Sequence, residues 1–117
     1  MIRVKLFLIA LAAVLGILAC GGSGSGRYVI SESKGYEASL FRQNCAICHG
    51  SEGEGKTLDD GTFVPSLRTG DFKMVTEAQI YRQIAEGGNG MQPFRSQLTD
   101  REIRLLVDLV RNELRRE

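Results

Sequence analysis

Cys45-Ala46-Ile47-Cys48-His49 closes all but the final Gly50 of the stretch LFRQNCAICHG at residues 40–50, and the architecture follows from what this motif does. Two of the chain's three cysteines and its single histidine stand together in these five positions. On a helix, residues three and four apart share a face, so both sulfurs and the imidazole project to one side. A thioredoxin-type Cys-x-x-Cys would follow a strand and open a helix, whereas the stretch before Cys45 reads as helix. A zinc site needs four ligands. With Cys20 used elsewhere, as argued below, two cysteines and one histidine remain, and the sequence has no second Cys/His cluster.

Cys-x-x-Cys-His is also the attachment signature of a c-type haem. In that chemistry each thiol, from Cys45 and from Cys48, adds to a vinyl group of the porphyrin, and His49 reaches the iron. Covalent attachment suits an exported protein, because a dissociable cofactor would be lost to a dilute compartment.

The rest of the chain supplies helices and loops. A first helix is expected over residues 34–48, presenting Leu40 and Phe41 with the two cysteines. A second begins at Thr76, whose hydroxyl can cap while Gln79 reaches back; it buries Ile80 and Ile84 and stops at Gly87. A third starts with Thr99 and Glu102 in the same relation, with Leu98 and Ile103 as a hydrophobic staple. Its apolar face is Ile103, Leu106, Val107, Val110 and Leu114, and its back carries Arg104, Arg111 and Arg115. Between His49 and Thr76 no periodicity is visible. Such a long loop is uncommon in a small domain unless something fills the middle, and a haem would provide that core. The expected class is all-α: three to four helices and long loops wrapped around one covalently bound haem.

These segments together resemble the class I cytochromes c, small monohaem electron carriers, over residues 36–114. The likeness rests on LFRQNCAICHG at 40–50, VPSL at 64–67 and GGNGMQPF at 87–94, in that order. It implies His49 and Met91 as the two axial ligands of the iron, and a Pro65 carbonyl that accepts the other N–H of the axial histidine and fixes its orientation. From the residues alone, a thioether is a soft, uncharged ligand that favours the reduced metal, and Met74 is the other methionine within the domain. Met91 is preferred chiefly because the segment ends Met91-Gln92-Pro93-Phe94, which resembles the family's motif, and its glycine-rich loop can also approach a haem face closely. One departure is Leu109, where the family's terminal helix offers an aromatic. Phe41 then lacks a ring partner, and helix docking is expected to be weaker. Arg68, Lys73, Tyr81 and Arg95 are candidate partners of the haem propionates, or solvated surface residues.

The amino terminus reads as an address. Arg3 and Lys5 precede an apolar run over residues 6–19, the length of a secretory signal and short for a bilayer span. Ile17-Leu18-Ala19-Cys20 resembles the lipobox of bacterial lipoproteins, which makes Cys20 the lipidation site. Acylation would also account for a third thiol that is otherwise odd in an oxidising compartment. The expected organisation is a signal peptide at 1–19, lipidated Cys20 with a flexible Gly/Ser tether over 20–33, and a haem domain over 34–117. The 117-residue chain carries 15 Lys+Arg against 14 Asp+Glu, so no basic field points to a nucleic-acid partner.

The function expected from these readings is a membrane-anchored, extracytoplasmic one-electron carrier that exchanges electrons with redox partner proteins. No substrate pocket or acid–base pair is evident, and Glu52 and Glu54 read as solvated. Two alternatives stay open: a haem c subunit bound within an oxidase or dehydrogenase complex, and a sensor or peroxidase-like haem, which would need an open iron position.

Overall fold

A computed structural model describes residues 26–116 of the chain. The signal expected at 1–19, the lipidation site Cys20 and residues 21–25 of the tether lie outside the described residues. Four α-helical segments carry the fold: α1 (Tyr36–Asn44), α2 (Ala46–His49), α3 (Glu77–Glu86) and α4 (Asp100–Asp108). The last runs directly into a π-helical segment, Leu109–Leu114.

The helix expected over 34–48 is in fact two pieces that meet at Cys45, where φ is −112° rather than the helical value near −63°. Just before the break the Asn44 amide donates back one turn to the Leu40 carbonyl at 2.8 Å, a side-chain bond that competes with the backbone ladder. Both expected capping boxes form. Gln79 N donates to the Thr76 hydroxyl at 3.2 Å while Thr76 N donates to the Gln79 side chain at 3.0 Å. Thr99 and Glu102 repeat the exchange at 3.3 and 2.8 Å.

Helix α4 lies against α1 and α3 through the face read from its spacing. Ile103, Leu106, Val107, Val110 and Leu114 are all buried, in one core with Leu40, Phe41, Ile80 and Ile84. Phe41 is only 1% exposed, and Leu109 and Leu114, each also 1% exposed, belong to the same core, so aliphatic side chains occupy the region that a ring partner would fill. Leu109 and Leu114 are five residues apart, the repeat of a π-turn. That turn corrects one expectation. Arg104 and Arg111 are exposed, as a uniform helix requires, but the slower π winding brings Arg115 round to a half-buried position.

The loop between His49 and Thr76 contains a small antiparallel hairpin, so the fold is not purely α. β1 (Lys56–Thr57) pairs with β2 (Phe63–Val64), with Lys56 opposite Val64 and Thr57 opposite Phe63. Its turn is held by Leu58 N on the Thr62 carbonyl at 2.8 Å and by Thr62 N on the Asp60 carboxylate at 2.9 Å. Two-residue strands are too short to leave an alternating pattern in the sequence.

Residues 28–33, expected to end a flexible tether, are instead part of the folded body. Ile30 is 0% exposed. Its N–H donates to the Glu52 carboxylate at 2.7 Å and that of Ser31 does so at 2.9 Å, while Arg42 donates to the carbonyls of Ile30 and Ser33. Arg68, 3% exposed, donates to the Tyr28 carbonyl at 2.9 Å, to the Glu52 carbonyl, and to the Glu52 carboxylate at 3.2 Å. Glu52 is thus not a freely solvated carboxylate, and Arg68 is not a surface cation. Burial by itself would raise the Glu52 carboxyl, but hydrogen bonds from Ser31 and Ile30 and the nearby Arg68 outweigh it and hold it below the usual carboxylate range.

This pair yields the first expected result. Arg68→Met leaves the Glu52 carboxylate without its counter-ion and Tyr28 without its donor. Removing one partner of a buried pair costs ~3–5 kcal/mol, and the solvent that reaches Glu52 puts this case at the low end. For a domain of this size the midpoint of a thermal melt should fall by on the order of 10–20 °C. Because the Glu52 pKa is depressed on folding, its contribution is complete above the ordinary carboxylate pKa and is lost as pH falls through the depressed value. The wild-type melt should therefore be more acid-sensitive than that of Arg68→Met, and equal sensitivity would exclude the pair as its source.

Candidate functional site

The break at Cys45 sorts the motif. Cys45 is largely enclosed and lines a cleft, whereas Cys48 is exposed and Ile47 beside it is 75% exposed. Burial, and then the neighbouring Cys48 thiol, push the Cys45 pKa up to about 12, so this group stands as a protonated thiol. His49 closes α2 and also lines the cleft, and Gly50, at φ 84°, ends the helix after it. Burial lowers the His49 pKa, which keeps the ring neutral, the state in which imidazole binds a metal. Its Nδ1 is buried and has no hydrogen-bond partner. Among the described residues no three Cys, His, Asp or Glu side chains converge as a metal-binding cluster, so the motif does not close into a tetrahedral site.

The cleft holds a cavity of about 90 Å³ and opens to solvent. Its wall is apolar, built from Phe41, Leu67 and aliphatic side chains of α3, α4 and the π-helical segment. The exceptions are few: the sulfurs of Cys45, Met74 and Met91, the His49 ring, Gln83 and Arg115.

Met91 is delivered by a built turn. Gly88 N donates to the Met91 carbonyl at 2.8 Å and Met91 N returns the bond to Gly88 at 3.0 Å. The two residues between them, Asn89 and Gly90, both have positive φ, at 54° and 85°, as a type I′ turn demands. Gly87 permits the close return. A Cβ there would lie 2.5 Å from the Met91 carbonyl oxygen and 2.7 Å from Pro93 N. Phe94, buried, then docks its N–H on the Ile84 carbonyl at 3.0 Å. Gln83 fastens the loop to α3: its amide donates to the Gly88 carbonyl at 2.8 Å and faces the Met91 sulfur at 3.7 Å.

The structure brings Cys45, His49 and Met91 to one cleft. Met74 reaches the same cleft from the loop before α3, so lining alone does not separate the two methionines; the turn and Gln83 are what Met91 has and Met74 lacks. Pro65 is exposed, on a segment whose backbone is seated against Gly55, where a Cβ would meet Val64 O at 2.5 Å and Pro65 C at 2.7 Å. The hydrogen bond expected from the His49 ring to the Pro65 carbonyl is not formed, since Nδ1 has no partner. None of Arg68, Lys73, Tyr81 and Arg95 lines the cleft. Arg68 is committed to Glu52, Tyr81 donates to Asp100 at 2.6 Å, and Arg95 lies 3.6 Å from Glu86.

Sequence reasoning missed Gln83 and Arg115. Gln83 had a signal: it lies three residues after Ile80 and one before Ile84, a polar residue on an otherwise apolar helical face. Arg115 had none, because its inward turn depends on the π-helical segment.

These residues fit a covalently held haem. A thiol lies on the wall, a second lies one helical turn on, and an uncharged imidazole lines an apolar cleft. The model of the family described as cytochrome c oxidase, cbb3-type, subunit III, matches residues 37–110. The solved structure of KustC0563 c-type cytochrome is 33% identical, with a TM-score of 0.55 over 62% of this chain and 90% of that one. The thiosulfate dehydrogenase of Psychrobacter arcticus is 37% identical over 57 residues, which are 47% of this chain and 17% of that protein. The chain thus spans about a sixth of that curated relative's length. With the haem motif, the cleft and the family match agreeing, the chain belongs to the cbb3-type cytochrome c oxidase subunit III family and is a c-type cytochrome, a class that carries covalently bound haem c.

Proposed function

We propose that the protein is a monohaem one-electron carrier of the class I type, held at the outer side of a bacterial membrane by acylated Cys20 and exchanging electrons with redox proteins there. The observation that carries this reading is the convergence of His49 and Met91, from α2 and from the turn after α3, on one apolar cleft beside Cys45. In this reading Cys45 and Cys48 bind the porphyrin covalently, while neutral His49 and the Met91 thioether are the axial ligands. The haem supplies the one-electron chemistry, which histidine and methionine together bias toward the reduced state. The chain's own part is to exclude water with the α3 and α4 aliphatic wall, to hold Met91 through its turn and Gln83, and to leave Ile47 and Cys48 exposed where a partner can approach.

A second reading is favoured by the family match and by the likeness to a segment of thiosulfate dehydrogenase: the same domain working as a haem c subunit bound in a larger oxidoreductase complex. A single preparation tests both. Purified from native membranes in mild detergent, the protein should stain for covalent haem, titrate as one single-electron wave and bind no carbon monoxide when reduced. Co-purification with a stoichiometric set of other subunits would select the second reading. Cys20→Ser should release haem-loaded protein into the soluble fraction, since stable anchoring rests on the acyl chains. Retention in the membrane despite that change would reject the lipid anchor.

A further inference from the structure

Arg115 is a cation on the cleft wall that the reading so far does not use. It follows the π-helical segment and is held in place on two sides. Its Nη1 donates to the Met74 carbonyl at 2.6 Å, and its guanidinium carbon lies 3.9 Å from the centroid of the Phe72 ring. Its Nε is buried and has no hydrogen-bond partner. Among the described residues no carboxylate lies within ion-pair distance of Arg115, although Arg68, Arg95, Arg104 and Arg116 each have one.

We propose that Arg115 anchors the haem, its guanidinium pairing with a propionate carboxylate; this rests on the haem reading above. An unpaired N–H on a charged group facing an apolar wall is costly, and an anion that enters the cleft relieves that cost. The planar guanidinium fork matches a carboxylate, and stacking on Phe72 holds the fork in orientation before the anion arrives. Propionates are the anionic groups that a haem brings into such a cleft. The cations and donors expected from the sequence to meet them do not line it. Burial lowers the Arg115 pKa, yet arginine stays charged at any pH at which the protein is folded. Arg115 therefore acts as a positioning residue and biases the iron toward the ferrous state.

The test uses full-length, haem-loaded protein and compares Arg115→Gln, Arg115→Lys and, as a control on an exposed cation, Lys73→Gln. Arg115→Gln should shift the ferrous/ferric equilibrium about tenfold toward ferric, a fall of roughly 60 mV for one electron. It should also displace the propionate bending band in the resonance Raman spectrum, a signature that a merely structural role would not move. Arg115→Lys should restore most of the potential but leave the band displaced, because an ammonium lacks the fork, and it carries the test if the glutamine variant does not fold. Lys73→Gln should change neither. Haem-loaded Arg115→Gln or Arg115→Lys with an unchanged propionate band would overturn the pairing and leave the haem reading intact. Wild-type protein that takes up no covalent haem would overturn the haem reading itself.

Discussion

Chains carrying Cys45→Ala and Cys48→Ala together should lose the haem-stained band on denaturing electrophoresis completely, and part of their stability with it. The first loss follows from chemistry: the described residues contain no other thiol to form the bonds. The second follows from packing. At about 24 cal/mol per Å³, the cleft's cavity of about 90 Å³ costs about 2 kcal/mol when left empty, a sizeable part of the ~5–15 kcal/mol total of a small domain. The midpoint of a thermal melt should fall while the helical signal at low temperature remains. The single variants should differ in their apo forms, because Cys45 sits in the wall with its pKa at about 12 and Cys48 is exposed. Before haem is added, iodoacetamide should modify Cys48 many times faster than Cys45, as peptide mass spectrometry would record. Equal labelling would show that the break at Cys45 does not enclose its thiol, and a stained double variant would remove the attachment site altogether.

What the sequence could and could not disclose follows from the range of the interactions involved. Thr76 with Gln79, and Thr99 with Glu102, are exchanges within one turn, and both formed as the spacing implied. The apolar face of α4 is local periodicity, and all five of its residues are buried. A motif and a glycine-rich loop singled out Cys45, His49 and Met91, which line one cleft, but Met74 lines it as well. Arg115 was misplaced because a π-helical segment changes the winding without a residue-level signature, so an arginine assigned to the outer face turned inward. Glu52 and Arg68 were misjudged for another reason: their partners, Tyr28, Ile30 and Ser31, are brought to them by the fold from many residues away. The domain consequently begins before residue 34. The hairpin at Lys56–Thr57 and Phe63–Val64 was invisible because two residues cannot display an alternation.

Met91→Ala is the change that separates an electron carrier from a haem with an open iron. Met91 sits on a turn whose two central residues have positive φ, its loop returns across Gly87, and Gln83 faces its sulfur at 3.7 Å. Those features hold a thioether in place, and a side chain that only filled the core would not need them. Removing the sulfur should abolish the weak long-wavelength band of iron–thioether ligation and lower the reduction potential by on the order of 0.1–0.2 V, within the ~0.8 V span that axial ligation sets. The reduced protein should then bind carbon monoxide, which wild type should not. Met74→Ala supplies the contrast, because Met74 also lines the cleft. Its loss opens space on the wall and disturbs the neighbourhood of Arg115, so it should cost ~2–5 kcal/mol of stability with the ligation band intact. Gln83→Leu should fall between the two, keeping the band but lowering the temperature at which it disappears. A Met91→Ala protein with unchanged band and potential would transfer the ligand role to Met74. Wild type that binds carbon monoxide at equilibrium would replace the carrier with a sensor or peroxidase-like haem.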